Sequence, residues 1–278
     1  MSGTVFMRVW PALLLACAPA AAQAPAYART PADTLRYREQ IAADVQTSGL
    51  AGGRTQLTQD ARIAVTWARG DTARAWYEGM EAQAKHGGEH GSGNSRLTME
   101  RGETAGGFLL SVDASGRART LRVPRFPPPL DEEADSVLTA QFLDFFPVLP
   151  AAPLRAGLEW TDADSVALTN GWWARETRSR VLRDTVFNGM AAVVVETETR
   201  LRMRRNSRLD DEMSFRTALE GTERGRYLFA PAPGLLLRRE RTGTLTGTET
   251  TLLAGDPPRA ARQTREYTAT IELLSGGR

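Results

Sequence analysis

Hydrophobic and polar residues alternate along most of the chain, and the longest alternating run spans residues 190–205. One face of this run carries apolar residues and threonines: Val193, Val195, Thr197, Thr199, Leu201 and Met203. A repeat of two is the side-chain period of a β-strand, and this run is about three times the usual strand length. A strand this long needs long partners, so the pattern predicts a large antiparallel sheet.

The same alternation predicts further strands on both sides of this run, at 34–47, 57–67, 73–84, 97–101, 107–113, 118–123, 160–168, 172–182, 212–219, 225–229, 235–245, 248–253 and 263–274. Turn-forming pairs such as Asn188-Gly189 separate consecutive strands. We therefore predict an all-β fold built from one or more large curved antiparallel sheets, half-barrel-like. The domain at 34–274 is either one unit or two similar lobes at 34–123 and 157–274.

The segment that joins the two halves, 124–156, is Pro-rich and then helical in pattern. Asp131 is a suitable N-cap, and Val137, Leu138, Phe142 and Phe145 recur at helical spacing. We predict one helix near 131–146 that covers the open face of the sheet. The glycine-rich residues 85–95 are predicted to be a polar loop.

The first 24 residues resemble an export signal, with Arg8 before an apolar stretch and alanines at 20–22 as a cleavage site. Cys17, the only cysteine, is either lost with this leader or is a lipidated first residue after a lipobox-like Leu14-Leu15-Ala16. Residues 25–33 are predicted to be a tether. No later stretch is apolar enough to span a membrane, so we expect an exported protein of the periplasm or the outer-membrane-associated cell envelope.

The balance of charges gives little reason to expect a nucleic-acid partner, since the formal net charge is only +2. Arginines at 200, 202, 204, 238, 239 and 241 form either a basic strip for anionic groups or a polar outer face mixed with glutamates. The mixture of signs favours the outer face.

Candidate metal ligands are confined to His86, Glu89 and His90, whose spacing would suit a metal only on a helix. Glycines at 87, 88, 91 and 93 disfavour that helix, so we expect no metal and no cofactor. Carboxylate pairs such as Asp162 and Asp164 share one strand face, and no nucleophile motif occurs. We therefore do not expect an enzyme.

Aromatic residues supply the candidate ligand contacts: Trp67, Trp76, Trp160, Trp173 and Phe142. They either line a groove for an apolar ligand or are part of the core.

Four segments carry a resemblance to a known family: T-L-R-Y-R-E-Q at 34–40, P-L-R-A-G-L-E-W-T-D at 153–162, N-G-M-A-A-V-V-V-E at 188–196 and G-R-Y-L-F-A-P-A-P-G-L-L-L-R-R-E at 225–240. Together they resemble an exported bacterial β-rich family catalogued as a domain of unknown function. The resemblance implies an exported fold similar to the half-barrels of lipoprotein carriers, with no catalytic residues.

Three functions remain open at this point. We expect a non-enzymatic cell-envelope protein that binds a lipid, an acyl chain or another apolar ligand on a concave sheet. The alternatives are a structural or protein-partner-binding envelope protein with no ligand, and a periplasmic hydrolase. A hydrolase would need a buried acid or a polar cluster in a cleft.

Overall fold

The computed structural model describes residues 24–28, 33–48, 52–68, 70–88, 91–100, 107–124, 138–208 and 212–276. These residues form one helix, α1 at 138–143. They also form twelve strands: β1 (Thr34–Thr47), β2 (Gly53–Trp67), β3 (Thr72–Gly88), β4 (Gly91–Glu100), β5 (Phe108–Val112), β6 (Ala118–Arg122), β7 (Glu159–Leu168), β8 (Gly171–Phe187), β9 (Met190–Arg208), β10 (Met213–Ala230), β11 (Leu235–Leu253) and β12 (Arg259–Gly276).

All twelve strands belong to one antiparallel sheet. Its order is β6-β5-β3-β2-β1-β12-β11-β10-β9-β8-β7, and β4 pairs with β3 beside β5. The sheet is not closed, and its centre is the pairing of β1 with β12. The predicted all-β fold with a large curved antiparallel sheet is therefore confirmed.

Several strands are longer than the sequence pattern predicted. The predicted loop at 85–95 is wrong, because β3 runs to Gly88 and β4 begins at Gly91, and the two strands pair throughout. The strands predicted at 212–219 and 225–229 are one strand, β10, and those at 235–245 and 248–253 are β11. Glycine is a weak strand former by itself, but here backbone pairing with long neighbours keeps the glycines extended.

The Asn188-Gly189 turn prediction is confirmed. Both residues have positive φ, 49° and 78°, as a two-residue hairpin turn between β8 and β9 requires. This turn sets the register of β9, so that Val195 and Thr197 face the buried inner side of the sheet while Glu196 is exposed.

Helix α1 covers the inner face, as predicted, although residues 131–137 of the predicted helix lie outside the described residues. The Phe142 ring lies 4.4 Å from Phe108 and 5.3 Å from Tyr77, and Phe145 lies 5.0 Å from Tyr37. The helix ends at Leu143 instead of residue 146. Residue 145 bonds back to the Phe142 carbonyl, a tighter i→i−3 turn.

Residues 24–28 close one end of the half-barrel. The Tyr27 backbone N–H donates to the Ala114 carbonyl at 3.1 Å, and its hydroxyl donates to the Pro147 carbonyl at 2.7 Å. The Ala28 N–H donates to the Gly234 carbonyl at 2.8 Å. The sequence did not indicate this docking, since the segment was predicted only as the start of a tether.

The two edge strands, β6 and β7, approach each other without pairing in the described part of the chain. Arg117, next to β6, forms an ion pair with Asp162 on β7 and donates to the Ala163 carbonyl at 3.3 Å. Side-chain contacts therefore bridge the opening of the sheet. Within the described residues, no helix is long and apolar enough to cross a membrane.

Candidate ligand-binding site

A cluster of charged side chains lies buried between α1 and the sheet. The Asp144 carboxylate, one residue after α1, forms ion pairs with Arg175 on β8 and with Arg239 and Arg241 on β11. Arg239 also donates to the Asp144 backbone carbonyl. The end of the covering helix is thus bound to both β8 and β11 by charge-assisted hydrogen bonds.

A second carboxylate completes this cluster. Glu223 on β10 accepts a hydrogen bond from the Tyr267 hydroxyl at 2.8 Å and lies 3.7 Å from Arg241 Nη1. Burial, followed by repulsion from neighbouring guanidiniums, lowers the pKa of Arg175 to about 9 and that of Arg239 to about 10. Both arginines remain charged at neutral pH.

Glu39 is a buried acid at the margin of this cluster. Only 1% of the residue is exposed, and Gln59 Nε2 donates to its carboxylate at 3.1 Å. Burial raises the pKa of Glu39 to about 7, although the nearby Arg241 and Arg239 lower it. A buried acid is what the hydrolase hypothesis demands, but this carboxyl is enclosed by the core.

Beyond α1, the inner face is not filled by side chains and forms an open groove of about 600 Å³. Aliphatic residues from five strands line it: Ile41, Ala43, Leu57, Ala84, Leu97 and Leu245. Its polar lining includes Gln141, Arg241, Arg265 and Tyr267. This volume lies within the range of small-ligand pockets.

The groove stays open because alanines form part of its floor and the tyrosine in the same row lies over a glycine. In register across the sheet, Ala84 lies beside Leu57, Leu57 beside Ala43, and Ala43 beside Tyr267. The Tyr267 ring in turn lies over Gly243, where an added Cβ would be 2.5 Å from the tyrosine Cζ. Tyr267 is therefore held flat against the sheet instead of filling the groove.

The structure places four of the five predicted aromatic residues in the core instead of the groove. Phe142 and Trp67 are buried, and the Trp67 ring lies 6.0 Å from Phe146. Trp160 donates its ring N–H to the Val148 carbonyl at 3.0 Å, and Arg175 lies over the Trp173 ring at 5.2 Å.

Trp76, the fifth, points to the opposite face of β3, where Arg74 lies over its ring at 5.6 Å. The groove is therefore lined by residues other than those that the sequence singled out. Aromatic side chains are the largest apolar groups in the chain, and packing under the helix buries the most area.

His86 lies exposed near the end of β3, with its Nδ1 3.0 Å from the Thr55 hydroxyl. Glu89, His90 and Cys17 lie outside the described residues, so the weak metal-site candidates and the lipidation site stay predictions.

The sequence pattern does not lead to the prediction that arginines on β11 face the inner side of the sheet. Arg239 and Arg241 were interpreted as part of a polar outer face, and this is wrong, because their side chains are 9% and 12% exposed. The alternation does contain the information, since both residues lie an even number of positions from the buried Leu245 and therefore on the same face of β11. In contrast, Arg200, Arg202 and Arg204 are exposed on the outer face, as expected.

No protein-family model and no curated protein matches the chain. Among solved structures, the chain is similar to one of lipovitellin that concerns lipid–protein interactions, with 10% identity and a TM-score of 0.51 over 90% of this chain and 26% of that chain. The chain thus spans about a quarter of that lipovitellin chain. An outer membrane channel from Pseudomonas putida F1 aligns at 8% identity over 92% of this chain and 99% of that chain, but its TM-score is only 0.24. At these identities, the lipovitellin likeness bears on the fold alone.

Proposed function

We propose that this protein binds a lipid or an acyl chain in the open groove on the inner face of the sheet, as an exported, non-enzymatic protein of the cell envelope. The observation that carries the proposal is the groove itself. It is a concave groove of about 600 Å³ with a mainly apolar lining, and it continues the core beside its covering helix.

An unfilled aliphatic groove beside a well-packed core favours a ligand over a purely structural role. Under α1 the inner face is closed by packed aromatic rings such as Phe108 and Phe142, 4.4 Å apart. In the groove, by contrast, the inner face carries small residues that leave space which larger side chains could have filled: Ala43 on β1, Ala84 on β3 and Ala269 on β12. Exposed apolar surface is costly in water, and it is retained where a ligand or partner covers it.

The likeness to lipovitellin supports this proposal at the level of architecture. The lipovitellin structure concerns lipid–protein interactions, and about a quarter of its chain is similar in fold to this one. Since a fold hosts many functions, the groove residues carry the argument and the likeness is secondary.

Export is the part of the proposal that rests on the leader-like residues 1–24 and the resemblance to an exported family. It implies a mature chain that begins either near Gln23 or at a lipidated Cys17. Tyr27, which closes one end of the half-barrel, would be retained in both cases.

A hydrolase is the second candidate, because Glu39 has the raised pKa that a general acid needs. This residue is almost entirely enclosed, however, and a general acid must reach its substrate. We therefore rank the hydrolase below the binding protein. A purified protein that carries and binds no ligand would instead support a structural role.

Native mass spectrometry of the full-length gene product, purified from its own cell envelope without added lipid, tests the proposal first. We expect an adduct with the mass of an acyl-chain compound that is released on denaturation. A protein that carries no adduct, and that also fails to bind added lipid, would contradict the proposal. The denatured mass also distinguishes a chain that begins near Gln23 from one that begins at a lipidated Cys17.

A groove-filling variant locates the ligand. Ala84→Phe adds an aromatic ring inside the groove, whereas Ala42→Phe adds the same ring on the exposed outer face of β1. We expect Ala84→Phe to abolish the fluorescence enhancement of the fatty-acid probe cis-parinaric acid, and Ala42→Phe to leave it unchanged. Equal binding by both variants would place the ligand elsewhere.

A further inference from the structure

Arg265 is an inward-facing arginine whose guanidinium has no hydrogen-bond or ion-pair partner among the residues that the structure describes. It lies on β12 in register with Val45 on β1 and Leu245 on β11, so both cross-strand neighbours are aliphatic. Its Nε atom is buried and makes no hydrogen bond. The side chain contributes to the lining of the groove.

Arg175 and Arg241 also have a buried Nε atom without a hydrogen bond, but unlike Arg265 they have a carboxylate partner. Arg175, Arg239 and Arg241 all have Asp144 as an ion-pair partner. Among the described residues, Arg265 has no carboxylate within ion-pair distance.

Polar groups near Arg265 are already engaged. The Tyr267 hydroxyl donates to Glu223, and Gln263 donates to Glu249 at 2.9 Å. Burial lowers the pKa of Arg265, the neighbouring Tyr267 partly offsets this by raising it, and Arg205 on β9 lowers it again. Arg265 is partly buried, with its Nε atom shielded from water. An unpaired charge in such a position is costly, so the arrangement favours an anion supplied from outside the chain.

We propose that Arg265 binds the oxyanion head group of an amphiphile whose single acyl chain occupies the groove. This inference rests on the proposed function and specifies its ligand class, a fatty-acid-like carboxylate or an alkyl phosphate. A guanidinium presents a planar fork of N–H donors that matches either head group. In the groove lining, Leu245 on β11 lies beside Arg265, and Ala43 on β1 and Leu57 on β2 lie on the other side of β12, which places aliphatic surface next to the cation.

The test compares three probes of equal chain length on the full chain: hexadecanoate, hexadecyl phosphate and hexadecanol, each by displacement of a groove-bound fluorescent probe. We expect the two anions to bind roughly 10- to 100-fold more tightly than the alcohol, as one charge-assisted pair implies. The ratio of the two anion affinities identifies which head group the site prefers.

Arg265→Leu should reduce the affinity for both anions to that of hexadecanol and leave hexadecanol binding unchanged. The matched control is Arg262→Leu, which removes an exposed arginine from the outer face of the same strand and should change nothing. If Arg265→Leu does not fold, as judged by circular dichroism, Arg265→Lys replaces it. We expect the lysine variant to keep part of the preference for anions.

Two results would overturn the inference, and they are distinguishable. If hexadecanoate, hexadecyl phosphate and hexadecanol bind the wild-type protein equally, and Ala84→Phe abolishes all three, the groove binds apolar chains but Arg265 does not select anions. If none of the probes binds, the proposed function itself fails, and the inference fails with it.

Discussion

Asp144, one residue past the end of α1, and Arg241, on β11, form an ion pair between the covering helix and the inner face of the sheet. Because Arg175 and Arg239 share the same carboxylate, Asp144 pairs with three buried guanidiniums, and Glu223 beside Arg241 is the second acid of the cluster. The helix is therefore held by electrostatics at its C-terminal end and by aromatic packing along its length.

Asp144→Asn should destabilise the protein by about 3–5 kcal/mol, because it leaves buried arginines without their counter-charge. Urea unfolding followed by circular dichroism measures this. Asp256→Asn is the control, since Asp256 pairs with Arg259 on the surface, where both side chains are about half exposed, and such pairs contribute about 0–1 kcal/mol. Equal effects of the two variants would show that the buried cluster does not hold the helix.

Glu39 should make stability fall as the pH rises from about 4.5 to about 7. The folded state, with its raised pKa, binds the Glu39 proton in this window while the unfolded state has released it, so the folded state loses its advantage as the pH rises. The contribution is about 3 kcal/mol across the window. Glu39→Gln should remove it, as measured by the free energy of unfolding at pH 5 and pH 7.5. An unchanged pH dependence in Glu39→Gln would contradict the assignment.

Gly243→Ala should destabilise the protein by roughly 1–3 kcal/mol and displace Tyr267 into the groove. The added Cβ would lie 2.5 Å from the Tyr267 ring, whereas one added at Gly79 would meet nothing closer than 3.9 Å. Gly79→Ala is therefore the matched control. Probe binding and thermal unfolding of both variants check the prediction, and it would be refuted if Gly243→Ala bound the probe as tightly as the wild type.

Tyr27→Ala should cost about 3–5 kcal/mol, in line with other large-to-small replacements of buried aromatic rings. Tyr27→Phe should cost only about 1 kcal/mol, because it removes the hydrogen bond to the Pro147 carbonyl and keeps the ring contacts. Denaturant unfolding of the two variants measures both values. If Tyr27→Ala is as stable as the wild type, residues 24–28 are not an integral part of the fold.

The sequence predicted most of the fold and little of the site, for one physical reason. Alternation identifies strands and faces wherever the inner residues are apolar, as along Val193 and Val195, and the Asn188-Gly189 pair fixes a turn locally. The site, in contrast, depends on inward charges such as Arg241, and on Asp144, which meets them only because a helix crosses the sheet. Pairing between residues far apart in the sequence leaves no local signal, and neither does the docking of Tyr27 against residues 114 and 147.

The pairing of β1 with β12 also constrains how the molecule is assembled. Val45 and Arg265 are neighbours across the middle of the sheet although 219 residues separate them along the chain, and contacts this remote slow folding. Until residue 259 is available, β1 and β11 both present long unsatisfied backbone edges, which are templates for aggregation. A nascent chain must therefore keep its two halves apart from other chains until β12 has been synthesised, and truncation within β12 would split the sheet through its centre.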